Sequence, residues 1–204
     1  RTGVEAVIWD DSGAVSRAIG AADAILASQP PGADGDPALA RYRGALDGAT
    51  ADWVEAGVVS LKSRTIAPEE AVRQSLAALE WLAKQGCRQF FFKYCSTFDS
   101  TPEGNIGQVS SALMEVLDTS TTIACPAFPD AGRTVYQGHL FVYDKLLSES
   151  GMENHPLNPM TDAKLVRWLR RQTENAVDHI PLATVRKGMD AVCDQGLGLA
   201  NDAQ

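Results

Sequence analysis

The sequence predicts an α/β fold, a three-layer arrangement in which a mostly parallel sheet carries helices on both faces. Two observations point to it. From residue 57 onward short apolar runs of strand length alternate with longer segments of helical period, and a cluster of polar and small residues follows the second run. The composition, 45% apolar and 22% charged over 204 residues, is that of a chain able to bury a core.

Taken in order, residues 4–8 predict a short strand and residues 15–27 a helix. A Pro/Gly/Asp-rich loop follows at 30–37, and Pro37 suits the first turn of a helix running to Trp53. The run Val58-Val59-Ser60-Leu61 predicts a strand. Residues 68–85 place Ala71, Val72, Leu76, Leu79 and Leu82 at helical spacing, and Gly86 is set to end that helix. Residues 87–92, closing on three phenylalanines, predict a second strand and 106–117 another helix. Residues 121–126 predict a third strand, 135–142 a hairpin or extended arm, and 162–172 and 184–193 two more helices. By domain, 1–56 reads as an atypical or degenerate N-terminal segment of the same domain as 57–204.

Charge and composition narrow the function. Eighteen basic against 26 acidic residues give a formal charge of −8, which disfavours binding driven by nucleic-acid phosphates. No apolar run reaches the roughly 18 residues of a membrane span, and no signal-peptide pattern is visible, so a cytoplasmic protein with neither nucleic-acid nor membrane partners is expected. Cys87, Cys95, Cys125 and Cys193 lack CxxC spacing, and His139, His155 and His179 form no HxH or HxxxH pair, so no metal site is expected.

The densest polar cluster runs from Lys93 to Gly107, after an apolar strand. In open α/β sheets ligands bind beyond the carboxyl ends of the strands, where a following helix can offer N–H groups to an anion. Lys93 can neutralise a carboxylate or phosphate. Ser96, Thr97, Ser100 and Thr101 can hydrogen-bond a polyol, and Asp99 can accept a proton from an alcohol. Composition equally allows Asp99, Ser100 and Thr101 to be helix caps and Gly104 and Gly107 turn residues. Ser63-Arg64-Thr65 follows the preceding strand. Arg64 is either a bidentate carboxylate partner or a solvated surface arginine. Loops after parallel strands converge, so Ser63, Arg64, Lys93, Ser96 and Asp99 are expected to share one concave patch.

The segment KYCSTFDSTPEGNIG at 93–107 resembles the signature of the four-carbon acid sugar kinase family, specifically its 3-oxo-tetronate kinase branch. SLKSRT at 60–65, CPAFPDAGRTVYQGHLFV at 125–142 and LLSESGMENHPLNPMTD at 146–162 agree with it, and the likeness extends over residues 57–195. The resemblance implies phosphorylation of a small sugar acid such as 3-oxo-tetronate at its 4-position by ATP with Mg2+. It also implies an N-terminal substrate domain partnered by a C-terminal nucleotide domain whose Gly-Gly-Ser-Gly loop is absent from this chain. The family's Asp-Asp-Phe-Thr-Gly-Ala opening is matched at best by a degenerate copy carrying Asp10 and Asp11.

On this reading Asp99 is the catalytic group, orienting or deprotonating the attacking alcohol. Arg64 and Lys93 bind the acid's carboxylate, and Ser63, Ser96, Ser100, Thr101 and Asn105 complete the substrate site. Two other classes stand beside it: a non-catalytic sugar-acid binding module or subunit, and an interaction remnant without a ligand. The partners expected are the sugar acid, a nucleotide-binding domain in the same or a separate chain, and a second copy in a homo-oligomer.

Overall fold

The computed structural model describes residues 24–28 and 57–201, which fall into two units. The first comprises 24–28, 57–63 and 73–93, and the second 64–72 and 94–201.

In the first unit β1 (Ala24–Ser28), β2 (Gly57–Leu61) and β3 (Phe92–Lys93) form a parallel sheet in the order β2-β1-β3. Ala24 to Ser28 pair with Gly57 to Leu61, and Leu26 and Ala27 pair with Phe92 and Lys93. The helix expected over 15–27 is therefore corrected where it can be seen. A strand flanked on both sides reads as a continuous apolar run, and Ala24-Ile25-Leu26-Ala27 carries no period-2 alternation to distinguish it from a helix. The second strand is likewise shorter than expected, since only Phe92 and Lys93 of the region pair with β1. The strand at 4–8, the helix from Pro37 to Trp53, and Asp10 and Asp11 lie outside the described residues.

Helix α1 (Pro68–Lys84) matches the expected segment. Pro68 at its start needs no intrahelical donor, and Glu69, Glu70 and Lys84 complement the helix dipole. Gly86, at φ 89°, closes it with the paired bonds Gly86 N–H to Ala83 O and Cys87 N–H to Leu82 O. That closure requires a left-handed residue, which glycine adopts without steric cost. Ala78, Leu82 and Cys87 are buried, with Val59, Leu61 and Phe90 packed against them as the first unit's apolar cluster.

The second unit contains α2 (Ile106–Val116), α3 (Leu165–Leu169), α4 (Leu182–Val185) and α5 (Met189–Asn201). Its sheet is antiparallel, β4 (Arg133–Tyr136), β5 (His139–Val142) and β6 (Lys145–Leu146) in sequence order. Among the described residues the sheets are thus one parallel and one antiparallel, each of three strands, which corrects a mostly parallel reading of the second unit. The local cause is Gln137-Gly138, a two-residue connection with φ values of 50° and 73°. Positive φ at both positions makes the tight turn whose twist suits an antiparallel hairpin, and a parallel return would need a crossover of a dozen residues. Residues 121–126 form no strand, and 121–125 are exposed. The helix expected over 184–193 is two helices, parted at Gly188 with φ 102°.

The second unit's core is built at helical spacing. Ile106, Val109 and Leu113 of α2 are buried, as are Leu140, Leu147, Met160, Leu165 and Trp168. Among the described residues no helix is long and apolar enough to cross a membrane.

Candidate substrate site

The loop between β3 and α2 is shaped before any ligand is considered. Phe98 N–H closes a turn onto Cys95 O at 2.9 Å, and Phe98 takes φ 53°. Its ring, buried, meets Tyr94 edge-on at 5.1 Å between centroids. Burial pushes the Tyr94 phenol above its ordinary range, so that side chain is neutral packing at physiological pH. Further on, Thr101 and Gly104 bond reciprocally through their backbones at 3.1 Å, and Thr101 Oγ1 donates to Gly104 O at 3.0 Å. Asn105 then occupies the N-cap position of α2 without a side-chain capping bond, its Nδ2 donating instead to Ile66 O at 3.3 Å.

This arrangement removes Asp99 from any capping role, because the helix begins seven residues later at Ile106. Its carboxylate instead makes an ion pair with Arg64, Oδ2 to the guanidinium Nη2. The Asp99 side chain is wholly buried and that of Arg64 is 25% exposed. Beyond this ionic contact neither Asp99 carboxylate oxygen makes a hydrogen bond, and neither does Arg64 Nε. Arg64 is not the solvated arginine that composition allowed. Its backbone carbonyl is held as well, by Asn158 Nδ2 at 3.3 Å, and Asn158 is buried. Asn158 receives its position from His155, whose Nδ1 accepts the Leu157 and Asn158 N–H groups at 3.3 and 3.0 Å.

Ser100 behaves differently from its neighbour. Its hydroxyl donates to Phe98 O at 3.2 Å and accepts from Trp168 Nε1 at 3.0 Å and Gln172 Nε2 at 2.9 Å. One donor and two lone pairs are all a hydroxyl has, so the expected substrate contact by Ser100 is replaced by an internal one. Gln172 also donates to Thr101 O at 2.9 Å and accepts the Gly107 N–H at 3.0 Å. The N–H of Gly107, in the first turn of α2, is therefore already bonded and is not a free donor for an anion. Ser96 is half-buried in the turn after Cys95, and Thr97 is buried. In the first unit Ser63, buried, follows β2, and Lys93, half-buried, ends β3. The single patch expected to join them to Arg64, Ser96 and Asp99 would span the two units, and the groups brought together within one unit are Arg64 and Asp99.

Asn158, Trp168 and Gln172 were not legible as site neighbours in the sequence. Their partners lie 94, 68 and 72 residues away, and no spacing rule reaches that far. The one available signal was that Asn158 falls inside the unusual stretch at 146–162.

Among the described residues no group of three or more His, Cys, Asp or Glu is placed to hold a cation. What the arrangement can do is bind a small polar anion: a guanidinium for a carboxylate, and a buried carboxylate for a hydroxyl.

Residues 20–203 match the sugar-binding N-terminal domain family, and the chain belongs to it. It is similar to the 3-oxo-tetronate kinase of Cupriavidus necator, with 60% identity over 157 residues, 76% of this chain and 36% of that protein. Among solved structures, a Haemophilus influenzae protein shares 49% identity at a TM-score of 0.72, covering 74% of this chain and 36% of its own. A Bordetella bronchiseptica domain, a domain-swapped dimer with bound citrate, shares 27% identity at a TM-score of 0.53, covering 78% of this chain and 37% of its own. This chain thus spans about a third of the length of the relatives it matches.

Proposed function

We propose that this chain is the sugar-acid-binding part of an ATP-dependent kinase that phosphorylates a four-carbon acid such as 3-oxo-tetronate on its terminal hydroxyl. The observation that carries the reading is the buried Asp99–Arg64 pair, with both carboxylate oxygens and Arg64 Nε lacking any hydrogen bond. Burying a carboxylate without hydrogen bonds is costly, and such groups are retained where a ligand completes them. A sugar acid supplies what is lacking, a hydroxyl to donate to Asp99 and a carboxylate to accept from Arg64. The name of the Cupriavidus relative and the citrate on the Bordetella domain, itself a hydroxy acid, support the same class.

Asp99 orients the acceptor hydroxyl and takes its proton, while Arg64 fixes the carboxylate end and sets the distance between the two. Ser96, Thr101 and Asn105 line the same loop. Ser63 and Lys93 are candidates from the first unit, each to be tested by its own alanine variant. ATP and Mg2+ belong with a nucleotide-binding domain of the full-length protein. A cytoplasmic setting, a homo-oligomer, and a larger three-layer parallel core for the complete domain are part of the same proposal.

The test is turnover of ATP with 3-oxo-tetronate by full-length protein carrying Asp99→Asn. The variant keeps an oxygen acceptor towards Arg64 but cannot take a proton, and general-base assistance contributes roughly 10²- to 10⁴-fold. A fall in kcat of at least about 100-fold is expected. Full activity would remove Asp99 from the reaction, and acid binding without turnover in the unsubstituted protein would favour a binding module.

A further inference from the structure

The Asp99 carboxylate is held by its ion pair with Arg64 and by no hydrogen bond, so its place depends also on how its backbone is fixed. The backbone after it is tied to one distant segment, and the backbone before it is reached from that segment only through the Ser100 hydroxyl. Gln172, 2% exposed at the end of the α3 region, donates both its N–H groups, to Ser100 Oγ and to Thr101 O, each at 2.9 Å. Its Oε1 accepts from Gly107 N–H at 3.0 Å, which reaches the first turn of α2. Trp168, four residues earlier and wholly buried, adds the third bond to Ser100 Oγ. Ser100 in turn donates to the carbonyl of left-handed Phe98, on the far side of Asp99. The fit is close: a Cβ on Gly107 would stand 2.6 Å from both the Gln172 Cβ and its carbonyl oxygen.

We propose that Gln172 is a positioning residue for the reaction, holding Asp99 at the acceptor hydroxyl by clamping Ser100, Thr101 and Gly107 around it. The inference rests on the reading of Asp99 given above. It assigns the clamp no contact with substrate. Catalytic geometry is sensitive to displacements of about an ångström, so a clamp on the residues flanking a proton acceptor acts on kcat more than on substrate affinity.

The experiment is a double-mutant cycle in the full-length protein, with kcat and KM for 3-oxo-tetronate measured for Asp99→Asn, Gln172→Met and the pair, and with thermal unfolding followed in parallel. Gln172→Met keeps the volume and removes every bond. Expected is a loss of kcat of about tenfold or more with KM changed less than about threefold, and no further loss when it is added to Asp99→Asn. Gln172→Glu gives a second reading. Its ionised carboxylate faces Thr101 O and loses the donor, whereas its protonated form restores an O–H, so its kcat is expected to recover as pH falls relative to the unsubstituted enzyme. Should Gln172→Met fail to fold, that relative pH profile carries the test. Unchanged kcat in a destabilised Gln172→Met, equal losses in both backgrounds of the cycle, or a Gln172→Glu profile parallel to that of the unsubstituted enzyme would each overturn the proposal. If Asp99→Asn itself retains full kcat, it is the reading of Asp99 that fails, and the positioning role falls with it.

Discussion

Ser100 accepts two side-chain donors, Trp168 Nε1 and Gln172 Nε2, in a site with no exposure to solvent. Ser100→Ala leaves both donors buried without an acceptor, each of which costs about 1–3 kcal/mol. Denaturant unfolding is expected to show a loss of at least about 2 kcal/mol with the slope unchanged. A loss under about 0.5 kcal/mol would place the bonds among the weak ones. The contrast with Asp99 shows what a sequence reveals at this scale. Both residues sit in one polar cluster, and residue chemistry left each open between a ligand contact and a helix cap. The cluster was found, but the division of labour inside it depends on Trp168 and Gln172, which only the folded chain brings there.

At the scale of elements, the hairpin between β4 and β5 turns on Gln137 and Gly138. Glycine is the natural residue at φ 73°, but glutamine at φ 50° is strained where asparagine is at ease. Gln137→Asn is therefore expected to stabilise the protein by about 0.5 kcal/mol, read as a rise in Tm, while His139 Nδ1 and Lys164 Nζ keep their bonds to the residue 137 carbonyl. Near α3, Asp162 accepts from Arg167 Nε at 2.5 Å and from Lys164 N–H at 2.9 Å, and the Arg167 guanidinium holds its carboxyl below the usual range. The ionised form is thus favoured in the folded state. That stabilisation is complete above the unfolded pKa of about 3.9 and is lost as pH falls through the lower folded value. Asp162→Asn is expected to lower stability at pH 7, with the difference from the unsubstituted protein shrinking as pH falls below the unfolded pKa of about 3.9, in urea unfolding followed against pH. Elements with a strong period, α1 and α2, were legible within a residue or so at each end. Strands were legible only where a turn residue bracketed them. β1 was mistaken because a short apolar run carries no period, and its two partners lie about 30 and 65 residues downstream.

Over the whole chain, the expected behaviour of residues 1–204 alone is binding without chemistry. Phosphoryl transfer needs donors around the transferred group, and each one missing costs roughly 2.7–4 kcal/mol of transition-state stabilisation. ATP consumption with 3-oxo-tetronate is expected at background, while the acid raises Tm through its preference for the folded state. Steady turnover by this chain alone would relocate the phosphate site into it. The order of the parallel sheet carries a consequence for how the protein is made. Among the described strands of that sheet, β1 lies between β2 and β3 and is synthesised before both, which then add on either side of it. Each later strand emerges from the ribosome to find its template already present, so neither has to wait unpaired for one still to come. A circular permutant that moved β1 to the end would keep every native contact and reverse that schedule. It is the nascent chain's exposure to aggregation, rather than the finished fold's stability, that such a rearrangement would change.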